Sequence, residues 1–382
     1  MKKILIIHTK YRESGGEDTA VLNELDILSK SYEVKSLIFE NKINNILMDI
    51  FAFITSRNVS SKYKLKKTIQ SFSPDIIYVH NTWFKASIAV LKLINNSVIP
   101  SYIKIHNYRY ICANSFFASK HLNNHDYCVF CGFTKKKYQI FNKFYEDSYL
   151  KSIFVIIYGI QYHNHLKSTD SKLLVLTNFH KQLLVERINP KKNPSILKNC
   201  ISENLGNSQV KKIDQIIYAG RISKEKGIEE LIKSFLSVFD NDVKLKIIGE
   251  GPILNEMISK FSQKNIEFTG YQNNSIVLKE ISNSIASIMT TNLVEGQPML
   301  LTECIKLGTP IIVPNVGGIR EFLPNDYELL YEYKNNKSLI DKLELIKNHT
   351  KLNEIEEILK RFYIDHLSQE EYLKRFSDII KK

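Results

Sequence analysis

The residues best suited to chemistry lie in the second half of the chain. In Glu295-Gly-Gln-Pro-Met-Leu-Leu-Thr-Glu303 a glycine and a proline set up a loop that feeds a helix, with Pro298 expected as the first helical residue. The N–H groups near Met299 and Leu300, backed by the helix dipole, form an anion site suited to a diphosphate. Glu295 precedes that N-terminus and Glu303 follows it by more than a turn, so the two carboxylates reach different parts of one ligand. Tyr218-Ala-Gly-Arg-Ile-Ser-Lys-Glu-Lys-Gly227 follows another strand and opens another helix. There Arg221 offers a planar fork and Lys226 a point charge, both suited to phosphate oxygens. Ile248-Gly-Glu-Gly-Pro252 and Pro314-Asn-Val-Gly-Gly-Ile319 add two more glycine turns, although neither is the G-x-G-x-x-G of a dinucleotide site.

Such groups need short buried strands to aim them. Ile4–Ile7, Ile76–Val79 and Leu173–Leu176 are continuously apolar and predict strands covered on both faces, with helical spacing at Thr19–Lys30 and Lys85–Ile94 between them. The pattern restarts at Gln215–Tyr218, Lys244–Ile248, Ala286–Met289 and Pro310–Val313, with a helix expected over Gly227–Phe239. Alternation of this kind predicts two α/β, doubly wound, Rossmann-like domains facing each other, their ligands at the C-terminal ends of parallel strands. Lys198–Lys212 is polar and lacks periodicity, which makes it the linker. The domains are therefore expected at 1–205 and 206–362, with 363–382 packing back on the first. Nine of the 14 glycines fall between Gly220 and Gly318, where backbone must approach a ligand or turn tightly.

The E-x7-E element Glu295–Glu303, the following Gly308-Thr-Pro-Ile-Ile-Val-Pro and Gly317-Gly318, and the upstream Gly220-Arg221…Lys226-Gly227 resemble the family-four retaining glycosyltransferases of the GT-B fold, of the type that builds bacterial surface polysaccharide. The resemblance implies that Arg221 and Lys226 hold the diphosphate of a nucleotide-sugar as leaving group, that Glu303 binds the ribose and that Glu295 contacts the transferred sugar. Glu13-Ser-Gly-Gly-Glu-Asp18 is similar to the family's glycine-rich loop, and Ile105-His-Asn-Tyr-Arg109 to its histidine loop, so His106 would contact the donor sugar. The implied catalytic set is thus His106, Arg221, Lys226 and Glu295. The implied donor-binding set is Gly15, Gly16, Gly220, Gly249, Gly296, Gln297, Pro298, Met299, Leu300 and Glu303. Such enzymes typically need no metal, because the two cations and the helix N-termini take its electrostatic role, and there is no D-x-D motif. Thr177-Asn-Phe-His-Lys181 also matches family patterning and is read as architecture. Cys112, Cys128 and Cys131, with His121 and His125 nearby, have spacing that could bind zinc, but reduced buried thiols or loop packing are the preferred reading and no metal is assigned. A nucleotide-sugar epimerase of the same fold is the alternative, and a non-enzymatic binder of anionic membrane or nucleic acid a further one.

Composition narrows the partners. Of the 382 residues, 43% are apolar and 24% charged, which excludes a disordered chain. No run approaches the ~18 apolar residues of a membrane span, and Met1–Lys10 reads as a first buried strand rather than a signal peptide. Five cysteines in a chain of this length do not suggest a secreted disulfide scaffold. Residues 1–210 carry 29 Lys+Arg against 15 Asp+Glu and residues 211–382 carry 24 against 25, so the net charge of +13 divides into +14 and −1. Much of the excess lies in Lys62–Lys67, Lys135–Lys137 and Lys191–Lys192. The diffuse positive charge sits on the half that the resemblance gives to the acceptor, and it suits a polyprenyl-diphosphate-linked glycan at the inner, cytoplasmic face of a membrane. No nucleic-acid-binding motif interrupts the basic runs, so no nucleic-acid partner is expected.

Overall fold

The computed structural model describes residues 1–11, 15–41, 51–52, 55, 57–112, 148–202, 212–261 and 265–381. The chain forms two compact units, one of Met1–Asn199 with Leu373–Lys382 and the other of Cys200–Tyr372. The first thus ends within the polar segment expected as linker, and the return to it begins at Leu373 rather than at 363.

The first unit carries a six-stranded sheet in the order β2-β1-β3-β4-β5-β6. Its strands are β1 (Lys3–Lys10), β2 (Glu33–Glu40), β3 (Ile76–Val79), β4 (Ser101–Lys104), β5 (Lys172–Val175) and β6 (Ser195–Ile196). Every pairing is parallel. The strand order reverses direction between β1 and β3, the switch point where such sheets open a crevice at their C-terminal ends. Helix Gly16–Ser29 crosses from β1 to β2, and Ile4–Ile7, Ala20, Val21 and Ile27 are all buried between helix and sheet. From the C-terminal helix Gln369–Lys381, Phe376 is buried in this unit with its ring 5.4 Å from that of Tyr78 and 5.8 Å from that of Tyr32.

The second unit repeats the plan in the order β12-β11-β10-β7-β8-β9, again all parallel. Its strands are β7 (Ile213–Ala219), β8 (Lys244–Ile248), β9 (Ile266–Gly270), β10 (Ser284–Ile288), β11 (Ile311–Asn315) and β12 (Leu330–Glu332). Here the switch point lies between β7 and β10, so the segments that follow these two strands flank one crevice.

The apolar runs of the sequence are the central strands, and Ile76–Val79 and Lys244–Ile248 are strands at the expected residues. Unanticipated strands are β2, β6, β9 and β12, which are the four sheet edges, and β4, which is short and includes the buried Lys104. An edge strand is covered incompletely and so does not read as a continuous apolar run. The helix expected over Gly227–Phe239 runs from Ile228 to Leu236, and a 3₁₀ turn at Lys224–Lys226 leads into it. Pro298 is the N-cap and not the first helical residue. Its φ of −63° and ψ of 130° are extended, and Met299 opens the helix that runs to Leu307. The apolar run Ile153–Ile160 lies inside helix Tyr149–Ser168, and among the described residues no helix is long and apolar enough to cross a membrane.

Candidate active site

At the switch point of the second unit, β7 leads through Gly220 and Arg221 into the 3₁₀ turn, and β10 leads through Thr290 and Thr291 toward Glu295. Thr290 Oγ1 donates to the Lys226 carbonyl at 2.7 Å, and Asn292 N donates to the Glu225 carbonyl at 2.7 Å. These bonds tie the two segments together and place Lys226 Nζ 2.5 Å from Glu295 Oε1, to which Thr291 Oγ1 also donates at 3.4 Å. Both side chains of the ion pair are partly exposed, so solvent weakens its Coulomb attraction and leaves it open to a ligand. Arg221 is exposed, has no ion pair among the described residues, and its carbonyl accepts from the Tyr218 hydroxyl at 3.0 Å. The Tyr218 hydroxyl is held well above its usual range, first by burial and then by the charges of Glu295 and Glu225.

Two glycines make this arrangement possible. Gly249 adopts φ +139° where it passes over Gly220, and a Cβ there would lie 2.0 Å from the Gly220 carbonyl oxygen. Gly317 adopts φ +60° against the Glu295 loop, and a Cβ would lie 2.4 Å from the Glu295 carbonyl oxygen. Gly318 N donates to that same oxygen at 2.9 Å. The motif Pro314–Ile319 therefore acts by holding the backbone of Glu295.

Beyond the loop, Gln297 is buried and its amide donates to Thr302 Oγ1 at 3.1 Å, so its side chain braces the start of the helix it precedes. Pro298 brings no N–H, whereas Met299 and Leu300 are the first helical residues, whose N–H groups a helix does not bond internally. Gly296 lies in the turn between them and Glu295. Glu303 is buried on this helix and hydrogen-bonded to Asn274, and burial pushes its carboxyl up to about 7. A carboxyl so placed is poised to accept hydroxyl hydrogen bonds, which favour its ionised form.

In the first unit the C-terminal ends of β1, β3 and β4 bring together His8, His80 and His106. His8 Nε2 lies 2.7 Å from Asp18 Oδ1, and the other oxygen of Asp18 accepts from Gly15 N at 3.1 Å. That carboxylate thus occupies one N–H of the glycine-rich loop, just before the helix start at Gly16. Gly15 is extended at φ −128°, and a Cβ there would meet nothing within 4 Å. Glu24 is fully buried, salt-bridged to Lys104 and accepting from the Tyr78 hydroxyl at 2.7 Å. The Arg109 guanidinium stacks 4.3 Å over the Trp83 ring and 5.8 Å over that of Tyr11. Glu17 accepts from Tyr11 at 2.9 Å and from Asn107 at 3.2 Å, while burial raises its carboxyl above the ordinary range.

The structure therefore unites Lys226 with Glu295 and sets Gly220 against Gly249. Arg221 and Glu303 belong to the same unit, and Gly15, Gly16 and His106 to the first. Cys112 is buried, whereas Cys128, Cys131, His121, His125 and Glu13 lie outside the described residues. Sequence reasoning missed Thr290 and Thr291, His8 with Asp18, and His80 with Glu24 and Lys104. Each of Thr290, His8 and His80 stands at or just past the C-terminal end of a strand, which is the signal that marks them.

Residues 203–358 match the family of glycosyl transferases group 1. An uncharacterized glycosyltransferase of Methanocaldococcus jannaschii is 25% identical, the match covering 91% of this chain and 83% of that protein. The capsular polysaccharide biosynthesis glycosyltransferase CapM of Staphylococcus aureus is 27% identical over 36% of this chain and 37% of its own length. Among solved structures, HepE of Anabaena in complex with UDP superposes with a TM-score of 0.65, at 12% identity, covering 100% of both chains. The likeness in structure is one of fold, and the fold is GT-B.

Proposed function

We propose that this chain, whose second unit is a glycosyl transferases group 1 domain, is a retaining hexosyltransferase. It moves a sugar from a nucleotide-diphosphate sugar, a UDP-sugar by preference, to a hydroxyl of a glycan or polyprenyl-diphosphate-linked acceptor in the assembly of bacterial surface polysaccharide. The observation that carries the reading is the Lys226–Glu295 pair at the switch point of the second sheet, where a cation for phosphate and a carboxylate for sugar hydroxyls stand side by side.

The chemistry follows from the residues. As the bond to the sugar breaks, negative charge collects on the leaving diphosphate. Arg221, Lys226 and the N–H groups of Met299 and Leu300 oppose that charge, which lowers the barrier. Glu303 takes the ribose hydroxyls, Glu295 those of the transferred sugar, and His106 is assigned to the same sugar. No side chain serves as a nucleophile in this scheme, so the incoming hydroxyl attacks from the face that the phosphate leaves, and the phosphate receives its proton. The cations and helix start supply the electrostatics that a metal supplies elsewhere, and turnover is expected to withstand EDTA. The basic first unit suits an anionic membrane surface and a phosphate-bearing acceptor.

A thermal-shift panel of UDP, GDP and their sugars tests the reading. A ligand at 100 times its Kd stabilises by about 2.7 kcal/mol. Stabilisation by one nucleoside diphosphate that disappears in Arg221→Ala is the expected result, and a melting point indifferent to every member of the panel contradicts it.

A further inference from the structure

His80 directly follows β3 and His106 lies two residues past the adjacent parallel strand β4, and their rings stack with centroids 5.2 Å apart. His80 Nδ1 lies 2.9 Å from His106 Nε2. The other nitrogen of His80, Nε2, faces Glu24 Oε2 at 3.9 Å, and both side chains are fully buried. Lys104 is salt-bridged to the opposite oxygen of Glu24, Oε1, and Tyr78 donates to Oε2 at 2.7 Å. His8 approaches the His80 ring edge-on at 6.4 Å. Among the described residues His106 Nδ1 and His80 Nε2 are both buried without a hydrogen-bond partner, the 3.9 Å between His80 Nε2 and Glu24 being an electrostatic approach and not a hydrogen bond.

Only one proton can lie between His80 Nδ1 and His106 Nε2. Burial holds both rings well below the usual histidine range, so both are neutral and each has one N–H and one bare nitrogen. The negative oxygen facing His80 Nε2 favours a proton there, because a bare lone pair against a carboxylate is repelled while an N–H is attracted. His80 Nδ1 is then the acceptor, His106 Nε2 carries the proton that bridges the rings, and His106 Nδ1 is left as an acceptor.

We propose that His80 is a positioning residue that, backed by Glu24, fixes the tautomer and ring plane of His106, so that His106 Nδ1 accepts a hydrogen bond from a substrate hydroxyl. The identity of that hydroxyl rests on the assignment of His106 to the transferred sugar, while the tautomer does not. A sugar hydroxyl is the ligand chemistry that satisfies a buried acceptor without adding charge, and a phosphate oxygen is excluded because it has no proton to give.

Histidine ¹⁵N spectra of the selectively labelled wild-type protein, with His106 assigned through His106→Ala, read the tautomer directly. A proton on Nε2 and a bare Nδ1 are expected, and the reverse pattern overturns the proposal whatever the activity. Kinetics add a second readout. His80→Leu removes the acceptor and is expected to lower kcat about 10–100-fold, with KM for the nucleotide-sugar changed little. His80→Asn, whose amide oxygen stands near the lost Nδ1, is expected to recover most of kcat. His80→Leu with unchanged kcat and an unchanged His106 spectrum overturns the proposal, as does failure of His80→Asn to exceed His80→Leu when both melt like the wild type. A wild-type spectrum as expected together with a fully active His106→Ala leaves the tautomer device standing and removes the sugar-contact assignment instead.

Discussion

Lys226 Nζ lies 2.5 Å from Glu295 Oε1, so the cation assigned to the diphosphate and the carboxylate assigned to the sugar form one ion pair. A diphosphate that draws on Lys226 competes with Glu295, and partly exposed pairs of this kind contribute about 0.2–1 kcal/mol. Glu295→Gln keeps the shape and removes the competitor. UDP affinity by calorimetry is expected to rise by up to about fivefold, while transfer falls by at least about 100-fold. Weaker UDP binding in this variant contradicts the assignment of Lys226 to phosphate.

The proposed ribose role of Glu303 predicts that nucleotide binding depends on pH. Its carboxyl sits at about 7 in the folded protein because it is buried, against an ordinary 4.5. Between these values the unfolded chain gives up its proton and the folded chain keeps it. Stability from this group is thus complete below pH 4.5 and is lost as the pH rises to 7, by about 3 kcal/mol. Ribose hydroxyls need the ionised form, so UDP should bind more tightly as pH rises from 6 toward 8, releasing a proton detectable by calorimetry in buffers of different ionisation enthalpy. Glu303→Gln should flatten both trends, and a wild-type affinity independent of pH in this window counts against the ribose role.

The two glycine loops respond differently to a methyl group. Gly249→Ala forces a Cβ to 2.0 Å from a backbone oxygen at φ +139°, and is expected to cost about 3 kcal/mol or more. The melting point of the second unit should fall by about 6–12 °C, with nucleotide binding lost. Gly15→Ala has open space and an ordinary φ, so stability should stay within about 0.5 kcal/mol. A loss of turnover in Gly15→Ala at unchanged melting point would therefore report a ligand lying against that loop.

The proposed membrane attraction would centre on one helix. Val59–Phe72 buries Ser61, Leu65 and Phe72 inward and exposes Lys64, Lys66 and Lys67, together with Val59 and Tyr63. At about 1 kcal/mol per lysine near an anionic surface, changing all three to alanine should weaken sedimentation with phosphatidylserine vesicles by about 100-fold at low salt. Binding that survives this substitution or ignores ionic strength would place the attraction elsewhere.

Much of this was legible in the residues, for reasons that also explain the gaps. Central strands such as Ile76–Val79 and Lys244–Ile248 are covered on both faces and so declare themselves as unbroken apolar runs. Edge strands such as Glu33–Glu40 carry polar residues on their open side and do not. The loops that carry Glu295 and Lys226 were readable because glycine and proline mark the turns, yet the direct pairing of the two side chains was not, since it depends on Thr290 and Asn292 joining two segments far apart in sequence. Pro298 was placed one position too far into its helix because its fixed φ of about −65° suits an N-cap as well as a first turn. His80, Glu24 and Lys104 look like ordinary strand and helix residues until the parallel register sets them side by side.

Transfer itself is the most direct test. The protein is incubated with UDP-hexoses labelled at the anomeric carbon and polyprenyl-diphosphate-linked oligosaccharides, and the lipid fraction is examined by NMR. The account predicts release of UDP and appearance of the label in the lipid-linked product with the anomeric configuration of the donor, abolished by Arg221→Ala. Label that remains on the nucleotide, passes to an epimer of it, or reaches the product with inverted configuration contradicts the account.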